Sequence, residues 1–487
     1  KMQKIADVNH SIAVLNWDQE TYLPPKAASM RAQQISTLAG ISHELMVAED
    51  LGILLEQLNE QKDLDTWAQK NITQSIRHYK KQQKFSTAFV VRESKAIAKA
   101  FQAWRKAREA NDYKLYQDAL GDIITIKREA CEIIGYDAHP YDALLDEYEP
   151  NEKTANLNTL FADVRRKLVD FVQEIAQKPQ PKDDWMYLNY DKDKQWNFGI
   201  HLLKQMGYDF NAGRQDLSAH PFTTSFGSND VRVTTRVSEN NFHEMVWSCI
   251  HEGGHALYEQ GFKAEHYGLP TAEAISLGIH ESQSRLWENN VGRSLLYWKA
   301  NYPILQKSFP ANLATVNVND FYRSMNVVRP SFIRTNADEL TYHFHILIRF
   351  EIEKALIEGT LAVKDLRDAW NEKYKEYLKI DVPNDNQGIL QDIHWSHGSF
   401  GYFPTYSLGS FYAAQFYAQA VKDIPDLEDN IANGNMLPLL QWLRQNIHQY
   451  GKLYGAEEIC KNITGEALNF DYFMDYARKK YTDIYNL

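Results

Sequence analysis

Apolar residues recur along most of this chain at helical rather than strand spacing. Ile5, Val8, Ile12 and Leu15 fall on one face of the N-terminal segment, which predicts an amphipathic helix rather than the apolar core of a signal peptide. Ile35, Leu38, Ile41 and Leu45 share one face of the next segment. Residues 92–110 (RESKAIAKAFQAWRKAREA) consist almost wholly of strong helix formers. Leu340, Phe344, Leu347, Ile348 and Ala355 keep the rhythm of a further helix with one apolar stripe. Breaks are expected at Pro24-Pro25, at 178–184, around 207–230 and at 381–409. One stretch departs from the helical rule. In DVRVTTRV (230–237), Val231, Val233 and Val237 stand among polar residues with the β-branched Thr234 and Thr235, which predicts a short strand. The turn-rich HPFTTSFGSN before it would place that strand at a surface edge, where it could pair with the backbone of an extended peptide.

Composition sharpens this picture. Gly and Pro number 23 and 15 in 487 residues, about 8% of the chain, against roughly 12% in average usage. Sparse turns favour long helices over a many-stranded β protein. The formal charge of −11 argues against a general nucleic-acid binder, which needs a basic face to displace counterions from phosphates. No run of eighteen apolar residues occurs, so no membrane-spanning helix is expected. The cysteines, Cys131, Cys249 and Cys460, are scattered, odd in number and outside any CxxC arrangement. They point to a reducing, cytoplasmic compartment rather than a disulfide framework.

The segment NNFHEMVWSCIHEGGHALYEQG (240–261) brings in chemistry. His251-Glu252-Gly253-Gly254-His255 is an H-E-x-x-H motif, expected by chance roughly 0.03 times in a chain of this length and composition. On a helix, both imidazoles share one face and can reach one ion. Glu252 would act as general base on a zinc-activated water rather than as a ligand. The two glycines weaken a helix by about 1 kcal/mol each relative to Ala, which suggests close approach of something to the backbone. Cys249 would point away from the histidine face. A catalytic zinc needs a third protein ligand and an open position. Glu281, in a helical pattern (TAEAISLGIHESQSRLWENN), is the better candidate, and His266, in EHYGLP, is its rival.

Several further segments occur in a fixed order: LNWDQETYLP (15–24), HPF (220–222), DVRVT (230–234), HESQ (280–283), IRTNADE (333–339), GILQDIHW (388–395) and GYFPTYSLG (401–409). With HEGGH they make the chain resemble the carboxypeptidase Taq family of zinc metallocarboxypeptidases across nearly its whole length. The resemblance implies that His251, His255 and Glu281 hold zinc and that Glu252 is the general base. It implies a mostly α fold with a deep groove, as in neurolysin and angiotensin-converting enzyme, and with one small β-sheet. It implies removal of single residues from peptide C-termini with broad specificity and poor action at proline, and a homodimer.

Length alone would suggest about three domains. The dispersal of the motifs instead fits a single catalytic unit over 1–487, in which helices of about 1–200 form part of the groove wall and 201–487 carries the metal and substrate motifs. A carboxypeptidase must recognise a free carboxylate, for which an arginine fork is suited. Arg334 and Arg232 are the candidates. The structural alternative for Arg334 is an ion pair with Asp338 or Glu339, and for Arg232 the bracing of Asp230. The oxyanion of the transition state calls for a donor beside the zinc. His394, His397, Tyr402 and Tyr406 are expected to supply it, on a segment whose glycines allow close approach to a ligand. A His₂Glu site also accepts cobalt or another divalent ion. Two other functions fit the same residues: a helical oligoendopeptidase, and a non-catalytic peptide-binding protein with structural zinc. The intact Glu252 speaks against the second.

Overall fold

The apolar periodicity becomes helix almost throughout. In the computed structural model, which describes residues 1–487, 69% of the chain is helical and a single small sheet interrupts the helices. The N-terminal pattern forms the helix Met2–Thr21, with Ile5 and Trp17 buried and Val8, Ile12 and Leu15 half-buried. The helix-former run lies in Thr87–Ala110. Ser86 caps it by accepting from Phe89 N at 3.2 Å, and Asn111 ends it in the left-handed region at φ 52°. No helix is long and apolar enough to cross a membrane.

The chain forms two compact units, each assembled from three segments. The first comprises residues 1–82, 181–325 and 409–469; the second comprises 83–180, 326–408 and 470–487.

In the first unit, the three strands are β1 (Gln215–Leu217), β2 (Thr223–Ser225) and β3 (Val231–Thr235). Their order is β1-β3-β2, with β1 parallel and β2 antiparallel to β3. The strand expected at 230–237 is therefore real but central rather than at an edge. Its expected turn-rich neighbour contains β2, whose Thr-Thr-Ser is too short and polar to show alternation. With Thr223 opposite Val233 and Ser225 opposite Val231 on one side and β1 on the other, β3 has no free edge for an added peptide strand. The helix Phe242–Glu259 packs on β3, on the helix Lys192–Met206 and on the helix Leu277–Arg285.

The second unit is built around the helix Tyr342–Glu358. Its apolar stripe suggested one buried face, but every residue from Tyr342 to Phe350 is buried, and so is Glu353. The helices Lys114–Ile134, Tyr141–Leu145, Thr154–Ala176 and Leu366–Leu378 surround it. Polar side chains on its other faces find partners inside the protein: His343 Nδ1 meets Ser407 Oγ at 3.0 Å and His345 Nδ1 meets Tyr374 Oη at 2.9 Å.

The C-terminal helix Asp471–Tyr485 is locked into the same unit by a buried ion pair. Lys480 Nζ donates to Glu339 Oε2 at 2.7 Å, and Tyr481 Oη donates to the same oxygen at 3.0 Å. Lys480→Met strands the Glu339 carboxylate and is expected to cost about 3–5 kcal/mol in urea unfolding. The double variant Lys480→Met/Glu339→Leu should recover most of that loss, and a double variant no more stable than the single one would contradict this account.

Candidate metal centre

The helix Phe242–Glu259 carries His251 and His255 one turn apart on one face. The helix Leu277–Arg285, capped by Ser276 Oγ accepting from Ile279 N at 3.1 Å, brings Glu281 against them. Their ligand-capable atoms all lie within 4.8 Å of one another. Glu281 Oε2 is 3.6 Å from His251 Nε2 and 3.3 Å from His255 Nε2.

Glycine sets this separation. A Cβ on Gly254 would lie 2.7 Å from both Gln283 O and Ser284 Cα, so the two helices touch backbone to backbone. A Cβ on Gly409, in the helix Pro404–Asp423, would lie 2.5 Å from Glu281 Cγ. Gly253 admits the side chains of Leu203 and Met206 in the same way.

The imidazoles are oriented from behind. His251 Nδ1 is 2.8 Å from Glu288 Oε2, and His255 Nδ1 is 3.1 Å from the carbonyl oxygen of His280. Each Nε2 is thereby left with its lone pair toward Glu281. Burial pushes His255 down to about 3, so this imidazole is neutral at physiological pH. Arg285 ties the acidic groups together, its Nε donating to Glu281 Oε1 at 2.7 Å and its Nη1 to Glu288 Oε2 at 3.0 Å. Arg293 Nη2 donates to Glu288 Oε1 at 3.1 Å. Burial opposes a charge on Glu281, but Arg285 and His251 hold its carboxyl well below the usual range. Two imidazole nitrogens and one carboxylate make a donor set that fits a divalent ion.

Glu252 is not one of the three clustered groups. Its Oε2 accepts from Thr223 Oγ1, on β2, at 2.7 Å, and burial pushes its carboxyl up. His266 stands outside the cluster, with Nδ1 2.6 Å from Thr271 Oγ1 and its ring edge-on to Trp67. Cys249 faces the sheet, within 3.2 Å of Gln215 Nε2. Arg232 forms a two-point pair with Asp230, at 2.9 and 2.8 Å, and stacks over Trp17 with 4.4 Å to the ring centre.

The remaining candidates belong to the second unit. Arg334 is buried, with Nε and Nη2 on Asp392 Oδ1 at 3.1 and 3.0 Å and Nη1 on Tyr342 Oη at 3.0 Å. Its ion-pair partner is thus Asp392 rather than Asp338 or Glu339. Asp338 instead accepts from the amides of Leu340 and Thr341, and Glu339 holds Lys480. Arg349 Nε donates to the other oxygen of Asp392 at 2.7 Å. His394, Tyr402 and Tyr406 gather beside this group: His394 Nε2 lies 3.4 Å from Tyr406 Oη, and the Tyr402 ring is 5.3 Å from that of Tyr406. Arg334 sits 4.9 Å from the centre of the Tyr406 ring. His397 does not join them; it is exposed and leans on Phe101.

Residues 1–481 match the family described as carboxypeptidase Taq (M32) metallopeptidase. The chain belongs to this family. Carboxypeptidase 1 of Bacillus subtilis is 36% identical to it over 488 residues, which cover 100% of this chain and 97% of the relative. Thermostable carboxypeptidase 1 of Thermus thermophilus is 38% identical, with 97% and 95% covered. The crystal structure of an M32 carboxypeptidase from Deinococcus radiodurans R1 superposes with a TM-score of 0.98 at 37% identity, covering 100% of this chain and 98% of that one. The protein is accordingly a metallocarboxypeptidase with a mostly α fold.

Several residues of this carboxypeptidase Taq family member escaped the reading of its sequence. Arg285 and Glu288 lie four and seven positions beyond Glu281, on its own helical face, and that spacing would have found them. Thr223 and Asp392 reach their partners across 29 and 58 positions, with no local signal.

Two outcomes follow for the family's metal centre and for its arginine cluster. Gly254→Ala should force the helices apart and lower metal affinity at least ~10-fold, read by competition with a chelator; unchanged affinity would show that the backbone contact is not limiting. Burial disfavours the Asp392 charge, but Arg349 and Arg334 hold its carboxyl below the usual range. Its contribution is therefore full above about pH 4 and is lost as pH falls through the depressed value. Asp392→Asn should cost about 3–5 kcal/mol at neutral pH and flatten the acid limb of stability measured by urea unfolding at a series of pH values.

Proposed function

We propose that this protein is a zinc-dependent carboxypeptidase that removes single residues from peptide C-termini with broad specificity, using His251, His255 and Glu281 as ligands and Glu252 as general base. The observation that carries this reading is the convergence of two back-braced Nε2 atoms on Glu281 Oε2, beside a buried carboxyl that is not part of the cluster. A divalent ion bound there supplies Lewis acidity, making water acidic enough to be deprotonated near neutrality and polarising the scissile carbonyl. Cobalt or another divalent ion would satisfy the same donors.

Glu252 takes the proton of the attacking water. Thr223 fixes Oε2 and leaves Oε1 to receive it, and burial raises the carboxyl toward the range where it can later pass that proton to the leaving amine. The substrate's free carboxylate is assigned to Arg334 and Arg232. The Arg334 cluster is the better suited, because Arg334 and Arg349 share the one carboxylate of Asp392 and leave a net positive charge. The charge of Arg232 is matched by Asp230. His394, Tyr402 and Tyr406 are the proposed donors to the developing oxyanion, and His397, exposed and apart from them, is the least suited of the four sequence candidates. His394 has the feature such a donor needs, a buried ring nitrogen, Nδ1, without a hydrogen-bond partner.

The whole chain is proposed to act as one catalytic unit, as a homodimer in a reducing cytoplasm. The family likeness supports the dimer, and three free, buried cysteines support the compartment.

N-blocked peptides followed by mass spectrometry test the reading. Loss of one C-terminal residue at a time is expected, with none from C-terminal amides and none after chelation. Glu252→Gln should lower kcat by ~10²–10⁴-fold while metal analysis still finds the ion bound. Internal cuts in blocked peptides would favour an oligoendopeptidase, and four protein ligands around the metal would favour a structural site.

A further inference from the structure

A buried carboxylate outside the metal centre holds the segment that carries the proposed oxyanion donors. Glu353 lies on the largely buried helix Tyr342–Glu358 and has no solvent exposure. Its Oε1 accepts from Trp395 Nε1 at 2.7 Å. Its Oε2 accepts from Gly401 N at 3.0 Å and from Tyr141 Oη at 2.7 Å. Trp395 and Gly401 flank the turn between His394 and Tyr402, so one carboxylate grips both sides of it. The other side of the turn is walled by backbone: a Cβ on Gly401, at φ 90°, would lie 2.7 Å from Leu144 C and 2.8 Å from Leu145 N, in the helix Tyr141–Leu145. Gly401 is thus pinned between a helix backbone and a carboxylate.

A carboxylate that only filled space here would be replaced by an apolar side chain at lower cost. Burial pushes the Glu353 carboxyl up to about 7, and the Gly401 amide, Tyr141, Trp395 and Arg349 act against that rise. Two of its three donors, the indole and the backbone amide, can only donate. The site therefore needs an acceptor on both oxygens, which an amide does not provide.

We propose that Glu353 is a positioning residue for the hydrolytic reaction, setting the placement of His394, Tyr402 and Tyr406 through its simultaneous hold on Trp395 and Gly401. This rests on the reading that the 394–406 segment supplies donors to the reacting peptide.

The hydrogen-bond pattern dictates the test. In Glu353→Gln the amide oxygen stays with Gly401 and Tyr141, and the NH₂ group faces the indole N–H of Trp395, donor against donor. Trp395→Phe removes the opposing N–H. On the zinc-loaded enzyme, Glu353→Gln and Trp395→Phe should each lower kcat, the former by ~10²-fold as expected for misplacement of a reacting group by about 1 Å. KM and metal content should change less than threefold. Amide hydrogen exchange should accelerate in 395–402 and not elsewhere. The double variant should be no slower than Glu353→Gln alone, because the clash is relieved. Should Glu353→Gln fail to fold, Trp395→Phe and the double variant carry the test.

Folded variants with wild-type kcat, effects on kcat that multiply in the double variant, or exchange that rises throughout the protein would overturn the proposal. His394→Ala, Tyr402→Phe and Tyr406→Phe test the underlying reading separately. If all three are fully active, that reading falls and the proposal with it. If they are impaired while Glu353→Gln keeps its kcat, the proposal falls and the reading stands.

Discussion

The metal centre depends on one contact between backbones. Gly254 lies against Gln283 and Ser284 with no room for a Cβ, and this sets how far Glu281 stands from His251 and His255. Helices packed through ordinary side chains keep their axes some 8–10 Å apart. A glutamate side chain is short, and metal–ligand bonds of about 2.0–2.2 Å tolerate little error. Close approach at Gly254 lets Glu281 meet both Nε2 atoms, and the same approach carries the following π-helical segment Leu286–Gly292, with Glu288, within reach of His251 Nδ1. One absent methyl group therefore serves a proposed ligand and the residue that orients another. The helix propensity given up at Gly253 and Gly254 is the local cost of that arrangement.

Buried charge is the second organising feature, and the two units handle it differently. Around the candidate metal centre, Arg285 and Arg293 oppose Glu281 and Glu288. In the second unit, Arg334 and Arg349 both bond to Asp392. Such charges are costly to desolvate and persist only where geometry pairs them well. Two guanidinium groups on one carboxylate, close to His394 and Tyr406, are the ground for the carboxylate role proposed for Arg334.

What could be read from the chain follows from the range of each signal. His251, His255 and the two glycines lie within one helical turn or so, and helix geometry alone places them on the face they occupy. Glu281 needed a second helix to return to the first, and the family likeness rather than spacing singled it out. The helix Tyr342–Glu358 shows a limit of periodicity. Its apolar stripe is real, but His343, His345, Arg349 and Glu353 on the other faces are buried too, because each finds a partner from a distant segment. A polar residue in sequence carries no sign of whether water or protein will satisfy it. The same gap explains why β3 was expected at an edge: β2 is only three residues long, and its pairing with β3 is a tertiary fact.

The roles proposed for Glu252 and Glu281 call for two carboxylates with opposite surroundings. Both are buried and hydrogen-bonded to a hydroxyl, Glu252 to Thr223 and Glu281 to Ser284. Glu281 also has Arg285 on its second oxygen, which holds its carboxyl well below the usual range, as the proposed ligand role requires. Glu252 has no guanidinium among its hydrogen-bond partners, and burial raises its affinity for a proton. A base held as firmly ionised as Glu281 would be too weak to draw a proton from water, and a ligand as easily protonated as Glu252 would release the ion on mild acidification. In the proposed mechanism, the guanidinium of Arg285, bonded to Glu281 and not to Glu252, separates the two behaviours.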